Sequence, residues 1–373
     1  MDERIAKHII PWLSGKKTGP YEVEFRITRT CNLKCFHCPG YDEKLMTSNL
    51  LPLKSWLKII QDCEKMGIKE CLVFAEGEPM SSKMALPMMN EIKKLGMRGK
   101  TATNGTLFTK ESAENLVKIS WDQIYISLDA PDAKSHDYVR GKGVFDKVIK
   151  NMKIINATKK KFGKQLPEFL FNTVLTNLNY NKLDKIICLA HELNVSTVCF
   201  HPLNLWTKEA EKLKINSKQT AIMQKQIPNA IKLCKKYEIN NNLNVYLDKG
   251  WIEDSRKKKT EVRKNPQKKA SSKEEKENPF FRLACYLPWY FISINEDGRV
   301  NPCHSIRNNK ENIHDKPLQE IWFGKYFKNI RDQLLKNKVP LDCSATCCAM
   351  QATEHQEFRE LLLKAYNEKD NEK

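Results

Sequence analysis

The chain has 373 residues, of which 40% are hydrophobic, and carries thirteen cysteines and a formal net charge of +19. That length supports one large domain and a smaller one, and excludes a miniature disulfide scaffold; no apolar run approaches the ~18 residues of a membrane helix. The basic charge is ambiguous, because lysines are spread along the whole chain. Such a charge suits an acidic electron donor or an anionic substrate, and nucleic acid is not the expected partner.

The predicted elements alternate. YEVEFRI (21–27) reads as a strand, LPLKSWLKIIQDCEKMG (51–67) as an amphipathic helix closed by Gly67, and KECLVFA (69–75) as a second strand. Helix 84–96, strand RGKTATNG (98–105), helix 110–119 and strand DQIYISLDA (122–130) follow, then helix 145–160 and strand EFLFNTVLT (168–176). Helix 180–194 and strand STVCFHPLN (196–204) complete the series. Six strands, each followed by a helix or chain reversal, predict an α/β fold: a parallel (β/α)6 partial barrel, too short to close the usual eight units. Functional residues are then expected at the strands' C-terminal ends.

Residues 206–280 change character, and KKKTEVRKNPQKKASSKEEKEN (257–278) carries dense charge with almost no apolar residue. A charged helical or linker region, partly disordered, is expected there. Apolar alternation resumes in FFRLACYLPWYFISINEDGRVNPCHS, with NEDG as the turn of a hairpin. The expected organisation is an N-terminal extension at 1–20, the barrel at 21–205, the charged region at 206–280, a small α+β domain at 281–349 and a C-terminal helix or tail at 350–373.

The first residues, MDERIAKHIIPWLSGKK, contain no run long enough for a signal peptide, so a cytoplasmic location is expected. In a reducing cytosol, clustered thiols read as metal ligands or catalytic groups and scattered ones as core. Cys63, Cys71, Cys188 and Cys234 fall at core-like positions. Cys199, beside His201 near the end of the sixth strand, reads as a small core residue or a hydrogen-atom donor. Cys31, Cys35 and Cys38 instead share the loop leaving the first strand, at the spacing C-x3-C-x2-C. Three thiolates can cap three corners of an iron-sulfur cube and leave the fourth iron open for chemistry. A structural zinc site wants four closed ligands.

With Phe36 in the aromatic place, this segment resembles the hallmark C-x3-C-aromatic-x-C of the radical S-adenosylmethionine (SAM) enzymes. AEGEP (75–79) resembles that family's G-G-E-P segment in Gly77, Glu78 and Pro79, with Ala75 and Glu76 departing from its glycines. TNG (103–105) and SLDA (127–130) end the third and fourth strands. The resemblance, over residues 21–204, implies a SAM-binding 4Fe-4S cluster on Cys31, Cys35 and Cys38. It implies that the Gly77–Pro79 edge holds the SAM amino group, that Ser127 and Arg140 contact its carboxylate, that Asp129 and Asn172 lie near ribose or substrate, and that Asn104 and Phe36 belong to the cofactor-binding set. Candidate catalytic groups are Cys199, Asp129 and Glu76.

The second unit resembles the SPASM or twitch extension of such enzymes. That implies one auxiliary 4Fe-4S cluster on Cys285, Cys303, Cys343 and one of Cys347 and Cys348, with Cys347 preferred. His304 stands where a second cysteine is often found. A structural zinc site from the same thiols is the alternative. The implied activity is reductive SAM cleavage and hydrogen abstraction, fed by an acidic donor such as flavodoxin or ferredoxin. The 20 residues before the first strand are too few for a peptide-recognition domain, so the expected substrate is small and sugar-, polyol- or lipid-linked. A peptide- or protein-modifying maturase is the alternative. tRNA modification and a non-catalytic iron-sulfur or zinc protein are the remaining rivals.

Overall fold

The computed structural model describes residues 3–38, 50–247, 278–283, 285–304, 306, 309–336, 338, 340, 343 and 358–368. Cys347, Cys348 and almost all of the charged run at 257–278 lie outside the described residues. No described helix is long and apolar enough to cross a membrane.

The chain opens with helix α1 (Glu3–Ile9), strand β1 (Glu22–Arg26) and helix α2 (Leu53–Lys65). An alternation follows: β2 (Glu70–Phe74), α3 (Ala85–Lys94), β3 (Arg98–Thr103), α4 (Lys110–Lys118), β4 (Gln123–Ser127), α5 (Ala133–Arg140) and α6 (Val144–Phe162). It continues through β5 (Glu168–Leu175), α7 (Leu183–Glu192), β6 (Val195–Pro202), α8 (Ser217–Lys236) and β7 (Asn240–Asn241). The hairpin strands β8 (Phe291–Asn295) and β9 (Val300–Asn301) come last. Contacts divide the chain into two compact units: one of Met1–Phe25, Asn49–Glu70 and Glu253–Lys373, the other of Arg26–Ser48 and Cys71–Ile252.

In the second unit the strands lie in the order β7-β6-β5-β4-β3-β2, and the pairs from β3 to β7 are parallel. This is the open, partial (β/α) barrel that the alternation demands, since parallel neighbours need helical crossovers. The two-residue β7 is a seventh strand that apolar patterning does not reveal. In β4 the buried Ile124 and Ile126 alternate with Gln123, Tyr125 and Ser127, so one face packs and the other stays polar. Thr109 and Ser112 form a capping box at the start of α4, and Asn216 and Gln219 another at α8. Ser217–Lys236 is therefore ordered helix within the region expected to be a charged helical or linker segment.

In the first unit β1, β8 and β9 lie in that order, and β8 pairs antiparallel with β9. Gly298, at φ +84°, supplies the left-handed residue that the Asn295–Gly298 turn requires. Helix α2 buries Trp56, Ile59, Ile60 and Cys63, one stripe at helical spacing. Helix α1 does not trail free: Ile5, Ala6 and Ile9 share one core with Phe281, Tyr286, Trp289, Phe358 and Leu362.

Candidate active site

The second unit places its polar side chains at the C-terminal ends of the strands. The backbone N–H of Ile27 donates to Phe74 O at 3.1 Å, and the N–H of Glu78 donates to Thr30 O at 2.8 Å. The exit of β2 therefore runs beside the start of the cysteine loop. Gly77 is required there, because a Cβ would lie 2.1 Å from Thr30 O and 2.5 Å from Arg29 O. No side chain tolerates that approach.

Glu78, 1% exposed, is the hub of the next link. Its Oε1 accepts from the Thr103 hydroxyl at 2.6 Å and from Met80 N–H at 3.0 Å, and its Oε2 accepts from Asn104 N–H at 2.7 Å. Burial pushes its carboxyl above the usual range, and these donors oppose that push. The Asn104 amide donates to Asn32 Oδ1 at 3.0 Å and points at Cys31 Sγ from 4.0 Å. Asn32 Nδ2 in turn donates to the Thr106 hydroxyl at 2.9 Å. The ends of β2 and β3 are thus wired to the cysteine loop by side-chain hydrogen bonds.

The other side of the loop is held by helix α5. Phe36 N–H donates to Val139 O at 3.0 Å, and the Phe36 ring meets Tyr138 edge-on at 5.3 Å. The Thr207 hydroxyl donates to Phe36 O at 2.6 Å. Arg140, the last residue of α5, turns inward, and its Nε donates to Asp129 Oδ2 at 2.6 Å. Asp129 Oδ1 accepts from Val174 N–H at 3.0 Å. Burial opposes the charged form of Asp129, but the charge and hydrogen bond of Arg140, joined by His37 and His136, together outweigh it and lower the carboxyl to about 2. Arg140 also lies within electrostatic reach of Cys35 and Cys38.

Burial pushes the Cys35 thiol up to about 11 and raises Cys31 as well. Thiols in such a setting become thiolates when a metal supplies positive charge. Among the described residues, no three or more His, Cys, Asp and Glu side chains converge on one metal-binding point. Ligands capping separate corners of a cube have no need to do so. Three unbridged thiols on one short loop, with Arg140 behind them, fit an iron-sulfur cube by donor chemistry.

Ser127, Asn172 and Cys199 fall in one row across the sheet, paired Ser127 with Asn172 and Asn172 with Cys199. His201, two residues beyond Cys199, brings its Nε2 to 3.2 Å from Asn172 Oδ1. Burial lowers its pKa, and Asp129 opposes that. Sequence reasoning did not assign His201 a role, although its place at the end of the sixth strand was the signal. Glu76 is engaged by two guanidiniums, Arg26 Nη1 at 2.9 Å and Arg29 Nη2 at 3.3 Å. That ion cluster occupies the position where the resembled motif has a glycine.

In the first unit, Cys285, Cys303 and Cys343 all pack, partly buried, against the same apolar core. His304 Nδ1 lies 3.1 Å from the buried Glu24 Oε2, and Glu24 Oε1 accepts from the Ser293 hydroxyl at 2.9 Å.

Comparison with known proteins agrees with this geometry. Residues 25–190 match the radical SAM superfamily, and residues 285–348 match the SPASM iron-sulfur cluster-binding domain. The chain is 24% identical over 344 residues to an AdoMet-dependent heme synthase of Methanosarcina barkeri, covering 86% of this chain and 87% of that protein. Among solved structures, Streptococcus suis SuiB bound to S-adenosylmethionine superposes with a TM-score of 0.65 at 18% identity, covering 88% of this chain and 72% of that one. The AdoMet-bound anSMEcpe superposes at 0.60 and 15% identity, covering 93% of this chain and 100% of that one. SuiB has also been seen bound to its precursor peptide SuiA, and anSMEcpe with the peptide Kp18Cys.

Proposed function

The chain is a radical SAM enzyme with a C-terminal SPASM iron-sulfur domain, and on that premise we propose that it abstracts a hydrogen atom from a peptide or protein side chain. A 4Fe-4S cluster with S-adenosylmethionine, joined by auxiliary iron-sulfur chemistry in the SPASM domain, supplies reductive cleavage of the sulfonium and a 5′-deoxyadenosyl radical. The observation that carries the reading is the cysteine loop, fixed by Glu78 and Asn104 on one side and by Arg140 with Asp129 on the other.

In this reading Cys31, Cys35 and Cys38 hold the cluster. The Gly77–Pro79 edge receives the SAM amino group, and Ser127 with Arg140 receives its carboxylate. Asp129 keeps Arg140 charged and aimed, because an ion pair out of solvent holds one geometry. Glu76, already engaged by two arginines, serves as structure rather than as a base. Cys285, Cys303, Cys343 and one of Cys347 and Cys348 hold one auxiliary cluster that passes electrons. The basic surface receives an acidic donor of the flavodoxin or ferredoxin kind. The described cysteines are unbridged, which favours a reducing compartment, the cytoplasm.

Support for a peptide comes from the fold shared with SuiB and anSMEcpe, both seen with peptides. The sugar-, polyol- or lipid-linked substrate expected from sequence has less support than this alternative. A second reading, a porphyrin substrate, is favoured by the Methanosarcina barkeri relative, whose likeness runs through 86% of this chain. The anaerobically reconstituted enzyme, reduced with dithionite, decides between them. We expect short peptides encoded beside its gene to stimulate 5′-deoxyadenosine formation and to gain a stable mass change. Stimulation by an iron porphyrin and by no such peptide would replace the first reading with the second.

A further inference from the structure

The first unit holds a cavity that no cysteine lines. Arg331, in the helix Lys325–Leu335, is 5% exposed. Its guanidinium carbon stacks 4.8 Å from the centre of the Trp12 ring and 4.2 Å from that of Trp322. Thr18 fixes both rings: Trp12 Nε1 donates to its hydroxyl at 2.7 Å, and Trp322 Nε1 donates to its carbonyl at 2.8 Å. Arg331 Nε donates to Pro288 O at 2.8 Å and Nη1 to Trp322 O at 3.0 Å. Among the described residues, its buried Nη2 has no hydrogen-bond partner.

This is an expensive arrangement for a structural residue. Backbone carbonyls and ring faces compensate a buried cation only in part, and a carboxylate is its natural complement. Among the described residues, the one acid near it in charge is Asp332, which pairs with Lys328 at 2.5 Å. Burial lowers the guanidinium to about 9, with Asp332 opposing the fall, so the group is still cationic at neutral pH. Arg331 also lines a cavity of about 190 Å³, together with Leu13, Phe280, Trp289 and Phe323, and with Lys17 and Lys328 among its basic groups. The cavity therefore offers three cations and one acid over an aromatic floor.

We propose that this cavity binds a carboxylate carried on a small aromatic or aliphatic group, with Arg331 as its anchor. The Arg331 guanidinium takes the carboxylate, the apolar lining takes the group that bears it, and Lys17 and Lys328 raise the local concentration of anions. Two sources present this chemistry: a free monocarboxylate, and the C-terminal residue of a polypeptide.

Calorimetry and thermal shift on the full-length chain test it with three probes. Phenylacetate stands for the free acid, N-acetylphenylalanine for a polypeptide terminus, and N-acetylphenylalaninamide is the uncharged control. We expect saturable binding of at least one acid, none of the amide, and weakening of about tenfold or more in Arg331→Gln, which loses a charge-assisted bond. Tighter binding of N-acetylphenylalanine identifies a chain terminus, and tighter binding of phenylacetate a free acid. Leu13→Trp fills the cavity while leaving Arg331 in place, so it keeps the test open if Arg331→Gln does not fold. Absence of saturable binding to the wild-type chain, or undiminished binding in folded Arg331→Gln or Leu13→Trp, overturns the proposal.

Discussion

Arg140 Nε and Asp129 Oδ2 lie 2.6 Å apart with only 8% and 1% of the two residues exposed. A pair so far from water is costly to break from one side, because the survivor keeps its charge and loses its complement. Replacing Asp129 by Asn keeps the shape and removes the charge. The expected outcome is a loss of about 3–5 kcal/mol in unfolding free energy, measured by denaturant titration.

The same pair makes a pH prediction. The folded value of Asp129, about 2, lies below its ordinary 3.8. A depressed carboxyl contributes stability that is present above the unfolded value and lost as pH falls through the folded one. That contribution is about 2 kcal/mol and disappears between about pH 4 and pH 2. Acid titration of Asp129→Asn should lack this component, and a curve parallel to wild type would refute the assignment.

Arg140→Ala should weaken S-adenosylmethionine binding about tenfold or more, through loss of a charge-assisted bond worth about 1.5–3 kcal/mol. The iron-sulfur absorption should be unchanged. Unaltered calorimetric affinity would remove Arg140 from the carboxylate site.

Gly77→Ala drives a methyl into Thr30 O and Arg29 O, both backbone atoms with nowhere to go. The expected cost is about 1–3 kcal/mol, concentrated where β2 meets the cysteine loop. Iron content after reconstitution reads it out, and it should fall even though no ligand has been touched. Full loading would show that the two backbones part easily.

Cys35→Ala should abolish conversion of S-adenosylmethionine to 5′-deoxyadenosine by the reduced enzyme. The triple variant lacking Cys31, Cys35 and Cys38 should keep about four irons per chain, those of the SPASM domain. One zinc and no iron in that variant would make the auxiliary site structural.

The parts of the site that sequence exposes are those written within a few residues. The cysteine triplet, Gly77 to Pro79 and Asn104-Gly105 are local patterns, and each falls at a strand end as the alternation requires. What it concealed are pairings across long separations. Glu76 meets Arg26 across 50 residues, and no spacing rule joins them. The His201 bond to Asn172 spans 29 residues and arises from a register that only the folded sheet sets. Helix α1, at seven residues, is too short to show a helical period or to persist alone. Its hydrophobic side acquires meaning only through the distant Phe281 and Phe358. The terminal β7 was hidden for the same reason, since two polar residues carry no alternation.

That core around α1 also constrains how the protein is made. Ile5 and Ile9 are synthesised long before their packing partners, which include Phe281, Trp289, Phe358 and Leu362. At roughly 5–20 residues per second, the early hydrophobic residues wait tens of seconds for those partners. The second unit, Arg26–Ser48 with Cys71–Ile252, has all its strands in hand well before then. The second unit is therefore complete while helix α1 is still uncovered, and that interval is when a chaperone has most to bind.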